Sequence, residues 1–127
     1  MPKTHVRTAV SSDFPTLLEI DQASFPPGIA YDSSELSYFM KREGSETLVI
    51  ETDGTIAGFI LVEIRRRKKH ATMITLDVRS EYRRQGFATE LVLASEEVLR
   101  KNRQMLAQED GKAPLSFAPP EEPEDAE

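Results

Sequence analysis

Apolar and polar residues alternate from Val6 to Val10, the two-residue period of a short strand. Ser11-Ser12-Asp13 then offers cap residues for a helix whose apolar positions Phe14, Leu17, Leu18 and Ile20 fall at helical spacing. That helix is expected to end near Ala23 or Ser24, because Pro26-Pro27-Gly28 cannot continue it. A second helix is predicted from Asp32, with Glu35 at capping-box spacing and Leu36, Phe39 and Met40 on its apolar face. Two β-rich runs follow, Thr47 to Thr52 and Thr55 to Ile64, joined by Asp53-Gly54, a dipeptide that favours a tight hairpin turn. The nearly continuous apolar run Ile56 to Val62 predicts a central strand. Arg65 to Lys69 reads as a polar turn with His70 at its end, and Met73 to Val78 as another strand. From Gly86 a last helix carries Ala88, Leu91, Val92, Ser95, Val98 and Leu99 along one face. Phe59, Leu61, Met73, Ile74 and Leu91 are the expected core. The order β-α-α-β-β-β-α predicts an α/β mixed sheet with helices on its faces.

Beyond Met105 the periodicity stops, and Gly111, Pro114, Pro119, Pro120 and Pro123 punctuate a stretch with few large apolar groups. Such a stretch cannot bury enough surface to offset its ordering entropy. The expected division is therefore a domain over 1–103 and an acidic, proline-rich, disordered tail over 104–127. This division changes the meaning of the net charge of -6. Seven acids and one lysine lie in the tail, which leaves fifteen acidic and fifteen basic side chains in the body. The body is neutral. With no cysteine, thiolate chemistry and disulfides are excluded, and two distant histidines suggest no metal site. The N-terminus has no apolar stretch of the signal-peptide kind and no run reaches membrane-spanning length, so a cytoplasmic protein without a membrane partner is expected.

The chemistry concentrates at Tyr82-Arg83-Arg84-Gln85-Gly86-Phe87-Ala88, between an apolar strand and a helix. A helix N-terminus presents unpaired backbone N–H groups, and its dipole favours negative charge. Gly86 lets the backbone approach a ligand, Ala88 keeps the first turn open, and Arg83 and Arg84 add positive charge. These features suit a diphosphate. Physics alone leaves a solvated turn with two ordinary arginines equally open.

Arg83 to Ala88 matches the Q/R-x-x-G-x-G/A signature of the GNAT acyltransferase superfamily, and the sequence resembles its RimI-type N-terminal acetyltransferases. Ile74 to Tyr82 is similar to the strand and turn leading into that signature, although many members have proline where this chain has Ser80. The resemblance extends back through Asp53-Gly54 and Phe25-Pro26 and covers roughly residues 5–103. It implies that the backbone of Leu76, Asp77 and Val78 pairs with the pantetheine arm of acetyl-CoA. It further implies that the turn (Arg83, Arg84, Gln85, Gly86, Phe87, Ala88 and Thr89) holds the diphosphate. Phe25, Pro26 and Tyr31 fall where the family binds its acceptor peptide, although Tyr31 packing onto the core is an equal reading.

The family normally continues past the phosphate-binding helix with further strands and a helix bearing catalytic groups. Here no Tyr follows Tyr82 and the only Asn is Asn102, so no catalytic residue is assigned. A truncated product, a degenerate member and a fragment completed by a partner all remain open. A missing strand would leave an exposed edge beside Met73–Val78 that favours oligomers. Asp77 and Glu63 are candidates to relay a proton, against a reading in which one faces solvent and the other faces outward from the sheet. The basic run Arg65 to Lys69 lacks interleaved aromatics, which favours a solvated turn over nucleic-acid binding. The expected function is acetyl transfer from acetyl-CoA to a protein N-terminus or other primary amine. The alternative is a non-catalytic acetyl-CoA-binding module.

Overall fold

A computed structural model describes residues 3–65, 70–110 and 117–118, with side chains described over 3–65 and 70–102. The elements are β1 (Thr4–Thr8), α1 (Phe14–Ser24), α2 (Ser33–Lys41), β2 (Ser45–Thr52), β3 (Thr55–Arg65), β4 (His70–Val78), α3 (Phe87–Asp110) and β5 (Phe117–Ala118). They form one sheet in the order β1-β2-β3-β4-β5, antiparallel except for the parallel β4–β5 pair. The helices lie in two layers. Leu17 and Ile20 of α1 and Leu36 of α2 pack on one face of the sheet with Val49, Ile56, Phe59 and Leu61. Phe87 and Leu91 of α3 pack on the other face with Leu48, Ile50, Ala57, Ile60, Val62 and Val78. The predicted α/β mixed sheet and its element order through α3 are observed, with the short β5 added after it.

Local chemistry explains most boundaries. At Asp53 and Gly54 φ is +52° and +83°, the left-handed pair a two-residue hairpin requires. Asp32 caps α2 reciprocally: its Oδ1 accepts the Glu35 N–H at 2.8 Å and Glu35 Oε1 accepts the Asp32 N–H at 2.9 Å. Along α3, Phe87, Leu91, Ser95 and Leu99 form the buried stripe at four-residue spacing.

The first strand differs from expectation, ending at Thr8 rather than reaching Val10. Ser11–Asp13 winds into a 3-10 turn, and Asp13 Oδ2 accepts the Val10 N–H at 2.8 Å, turning Val10 out of the sheet. Asp13 also takes both guanidinium nitrogens of Arg7, at 2.8 and 3.0 Å. The Arg7 bonds, joined by the Val10 N–H, hold its carboxyl below the usual carboxylate range. Its stabilisation is therefore present above the unfolded value of 3.8 and is lost as pH falls through the lower folded value. Asp13→Ala is predicted to cost about 1–3 kcal/mol at neutral pH. Urea melts should show that this cost shrinks toward pH 2; a constant cost would assign the effect to packing.

Three further expectations change. α3 continues past 103 to Asp110, and Phe117–Ala118 pairs with Ala71 and Thr72 of β4; the rest of the expected tail lies outside the described residues. His70 opens β4 opposite Arg65 rather than sitting in a turn, while 66–69 lie outside the described residues. Met73 and Ile74 are partly buried and flank the core.

Candidate functional site

The free edge of β4 can be read from one hydrogen bond. Arg79 N–H donates to Ala57 O at 2.8 Å, continuing the register that pairs Val78 with Gly58 and Asp77 with Phe59. Antiparallel pairs alternate between hydrogen-bonded and non-bonded types. The backbone of Asp77 is therefore turned toward β3, whereas Leu76 and Val78 turn their N–H and C=O groups toward the opposite edge. Val78 O accepts from Arg83 Nε at 3.0 Å, in agreement with that phase. Among the described residues β5 occupies this edge only at Ala71 and Thr72. Leu76 N–H and C=O and Val78 N–H remain for an extended ligand.

A bulge re-aims the middle of the strand. The register slips between Leu61 and Val62, which leaves Ile74 without a partner on β3. Ile74 packs with the α1–α2 cluster and its neighbour Thr75 bonds Asp77 on that same side, so two consecutive side chains share a face.

The turn beyond β4 is tightly built. Ser80–Tyr82 forms a 3-10 turn, after which φ is +66° at Arg84 and +82° at Gly86. A Cβ on Gly86 would enter open space, so only backbone strain, and no neighbouring atom, opposes a side chain there. The first helical bond of α3 runs from Glu90 N–H to Gly86 O at 3.0 Å. The N–H groups of Phe87, Ala88 and Thr89 consequently have no intrahelical acceptor. Phe87 is buried with its ring 6.1 Å from that of Tyr82, so its side chain anchors the turn. Arg83, Arg84, Gln85, Ala88 and Thr89 are exposed. Arg83 is not a free cation at its Nε, which is engaged with Val78 O.

On the α1–α2 side, Pro26 O accepts the N–H groups of Ile29 and Ala30, closing the turn after Phe25. Phe25 and Ile29 are exposed apolar side chains. Tyr31 donates its N–H to Asp21 Oδ2 at 2.8 Å and tilts its ring on Phe39 at 5.3 Å. Burial, followed by the charges of Asp21, Glu35 and Asp77, holds its phenol above the usual range.

Asp21 was not singled out by the sequence, yet it is fully buried on α1 beside Asp77. Its signal was present: it stands four residues after buried Leu17, a charge on the apolar stripe. Asp77 is 2% exposed, which corrects the reading that it faces solvent or the outer surface. Burial, followed by the hydrogen bond and charge of Asp21, pushes its carboxyl up to about 8, against Thr75 and Arg83. Glu63 is buried as well, ion-paired with Arg42 and with Arg65 at 3.0 Å. Two arginines satisfy that carboxylate and explain how it lies inside.

Known proteins carry the same frame. The chain resembles the ribosomal-protein-S18-alanine N-acetyltransferase of Escherichia coli at TM-score 0.70 and 18% identity, over 80% of this chain and 62% of the enzyme. It resembles the PaiA N-acetyltransferase of Thermoplasma acidophilum, solved with coenzyme A, at TM-score 0.66 and 21% identity, over 79% and 74%. A glucosamine N-acetyltransferase region of a fungal multi-domain GH3 β-N-acetylglucosaminidase aligns at TM-score 0.76 and 16% identity, over 98% of this chain and 14% of that one. At these identities the likeness is one of fold. No curated protein matches the sequence. The profile of the acetyltransferase (GNAT) family matches residues 14–113, from the start of α1 through the Tyr82–Ala88 turn and α3. The chain therefore belongs to the GNAT acetyltransferase family.

Proposed function

We propose that this chain binds acetyl-CoA and transfers its acetyl group to a primary amine, a protein N-terminus being the acceptor class nearest its resemblance. The observation that carries this reading is the pairing of a helix N-terminus, with three unpaired N–H groups, and a strand edge open at Leu76 and Val78. The diphosphate would rest on the N–H groups from Arg84 to Thr89, beside the exposed Arg84. The pantetheine arm would run along Leu76 and Val78 as an added strand. Acetyl-CoA supplies the activated acyl carbon. The chain supplies orientation and, at the bulged strand, backbone N–H groups able to stabilise a developing oxyanion. An attacking amine must be neutral, so a proton acceptor is needed. Phe25, Pro26 and Tyr31 would line the acceptor side. The turn, the strand edge and the acceptor loop all fall within residues 1–103, the proposed domain, whose last helix runs on to Asp110. A cytoplasmic location and self-association through the β4 edge accompany this reading.

A non-catalytic acetyl-CoA-binding module is the second reading, favoured by one observation. All three tyrosines are engaged in packing: Tyr31 on Phe39, Tyr38 under Arg42 and Tyr82 on Phe87. No described contact places a tyrosine hydroxyl at the Leu76–Val78 edge as the proton donor to a leaving thiolate. Thermal melts with acetyl-CoA test both readings together, since a ligand at 100 times its Kd adds about 2.7 kcal/mol. Turnover on a panel of peptide N-termini then separates them. Absence of stabilisation, with salt-sensitive RNA or DNA binding instead, would overturn both.

A further inference from the structure

Between α1 and β4 lie two carboxyl groups with too few donors for two negative charges. Asp21 Oδ2 accepts the Tyr31 N–H at 2.8 Å, and Asp21 Oδ1 lies 3.5 Å from Thr75 Oγ1. Thr75 has one hydroxyl proton, and it points to Asp77 Oδ1 at 2.9 Å. Asp77 Oδ2 is buried and has no protein donor. The surrounding charges do not fill the gap. Glu19 and Asp21 come from α1, Glu35 from α2, and Tyr31 from the loop between them. β3 presents apolar Phe59 opposite Asp77. Of the cations, Arg79 is engaged with Glu19 and Ile56 O, and Arg83, bonded through Nε to Val78 O, donates no hydrogen bond to Asp77 and acts on it through charge alone. Two ionised carboxylates buried side by side would leave one charge unpaired, a costly state.

We propose that Asp21 and Asp77 share a single proton and form a positioning pair that ties Tyr31 and the α1–α2 loop to β4. Asp77 stands between Leu76 and Val78, whose backbones face the open edge, while Asp21 holds the Tyr31 N–H. One proton thus couples the acceptor side to the donor strand. Its role in catalysis rests on the proposed function; its existence does not.

The pH dependence has a definite sign. With Asp77 raised from 3.8 in the unfolded chain to about 8, the folded state keeps a proton the unfolded state has lost. The stabilisation is complete below 3.8, declines as pH rises, and has gone above about 8. Loss of the proton sets two charges against each other, separates α1 from β4 and disturbs the Leu76–Val78 edge. Asp77→Asn replaces the shared proton with a fixed amide donor and removes the second ionisation.

Carboxyl-detected NMR of the full chain is the direct test. The Asp77 signal should titrate near pH 8. An Asp77 signal complete below about pH 5 would overturn the pair. Acetyl-CoA affinity should weaken at least about threefold between about pH 7 and pH 9 in the wild type and stay flat in Asp77→Asn. Matching pH profiles in the two proteins would reject the positioning role. If Asp77→Asn fails to fold, Asp21→Asn serves the same comparison and the wild-type titration still decides. If acetyl-CoA binds neither protein, the proposed function fails while the NMR result stands.

Discussion

Gly86→Glu is expected to weaken acetyl-CoA binding by at least about 100-fold while leaving a folded protein. The backbone at Gly86 has φ +82°, so any side chain there costs about 1–2 kcal/mol of strain. Nothing within 4 Å opposes its Cβ, and the fold can therefore accept the residue. The glutamate would instead project beside the N–H groups of Phe87, Ala88 and Thr89, where the diphosphate is proposed to sit. A like charge about 4 Å away in a partly desolvated site is worth several times thermal energy. Gly86→Ala adds the strain without the charge and should lose far less affinity. Calorimetry on both variants, with melts to establish folding, decides the matter. Unchanged affinity in a folded Gly86→Glu protein would remove the turn from the binding site.

Gly58→Val is the second large effect, and it acts from the other side of the donor strand. A Cβ at Gly58 would lie 2.5 Å from Asp77 O and 3.0 Å from Val78 Cα. Both are backbone atoms of β4, so the strand must move as a unit, and a cost of about 3 kcal/mol or more is expected. The displacement falls at the register position that aims Leu76 and Val78 at the free edge, so affinity should drop together with stability. Phe59→Ala provides the contrast. Phe59 is fully buried, and its truncation should cost about 3–5 kcal/mol while leaving the β4 backbone in place. Folded Phe59→Ala protein should still bind acetyl-CoA. Wild-type stability in Gly58→Val, or equal loss of affinity in both variants, would contradict this account.

Features encoded by neighbouring residues were legible before the structure. Asp53-Gly54, Asp32 with Glu35, the Phe14 to Ile20 spacing and the Arg83 to Ala88 turn each act through chain-local geometry. Two of the regions that diverged did so through a partner distant in sequence or through a competing local bond. Val10 left its strand because Asp13 took its N–H, and Glu63 lies inside because Arg42, just past the end of α2, reaches it.

By itself the sequence determined the hairpin, the Asp32 cap, the order of the elements through α3 and the turn with its left-handed glycine, because periodicity and left-handed φ are properties of adjacent residues. The cap expected at Ser11 to Asp13 gave way to the Asp13 bonds with Arg7 and Val10. Only the tertiary structure decided which edge of β4 stays open, that Asp77 turns its backbone away from it, and that Asp77 meets Asp21 under α1. Thr75, which links those two carboxyl groups, is 54 residues from Asp21 in the chain. Local pattern cannot report such a meeting: the charge state of a buried carboxyl depends on what the fold packs against it.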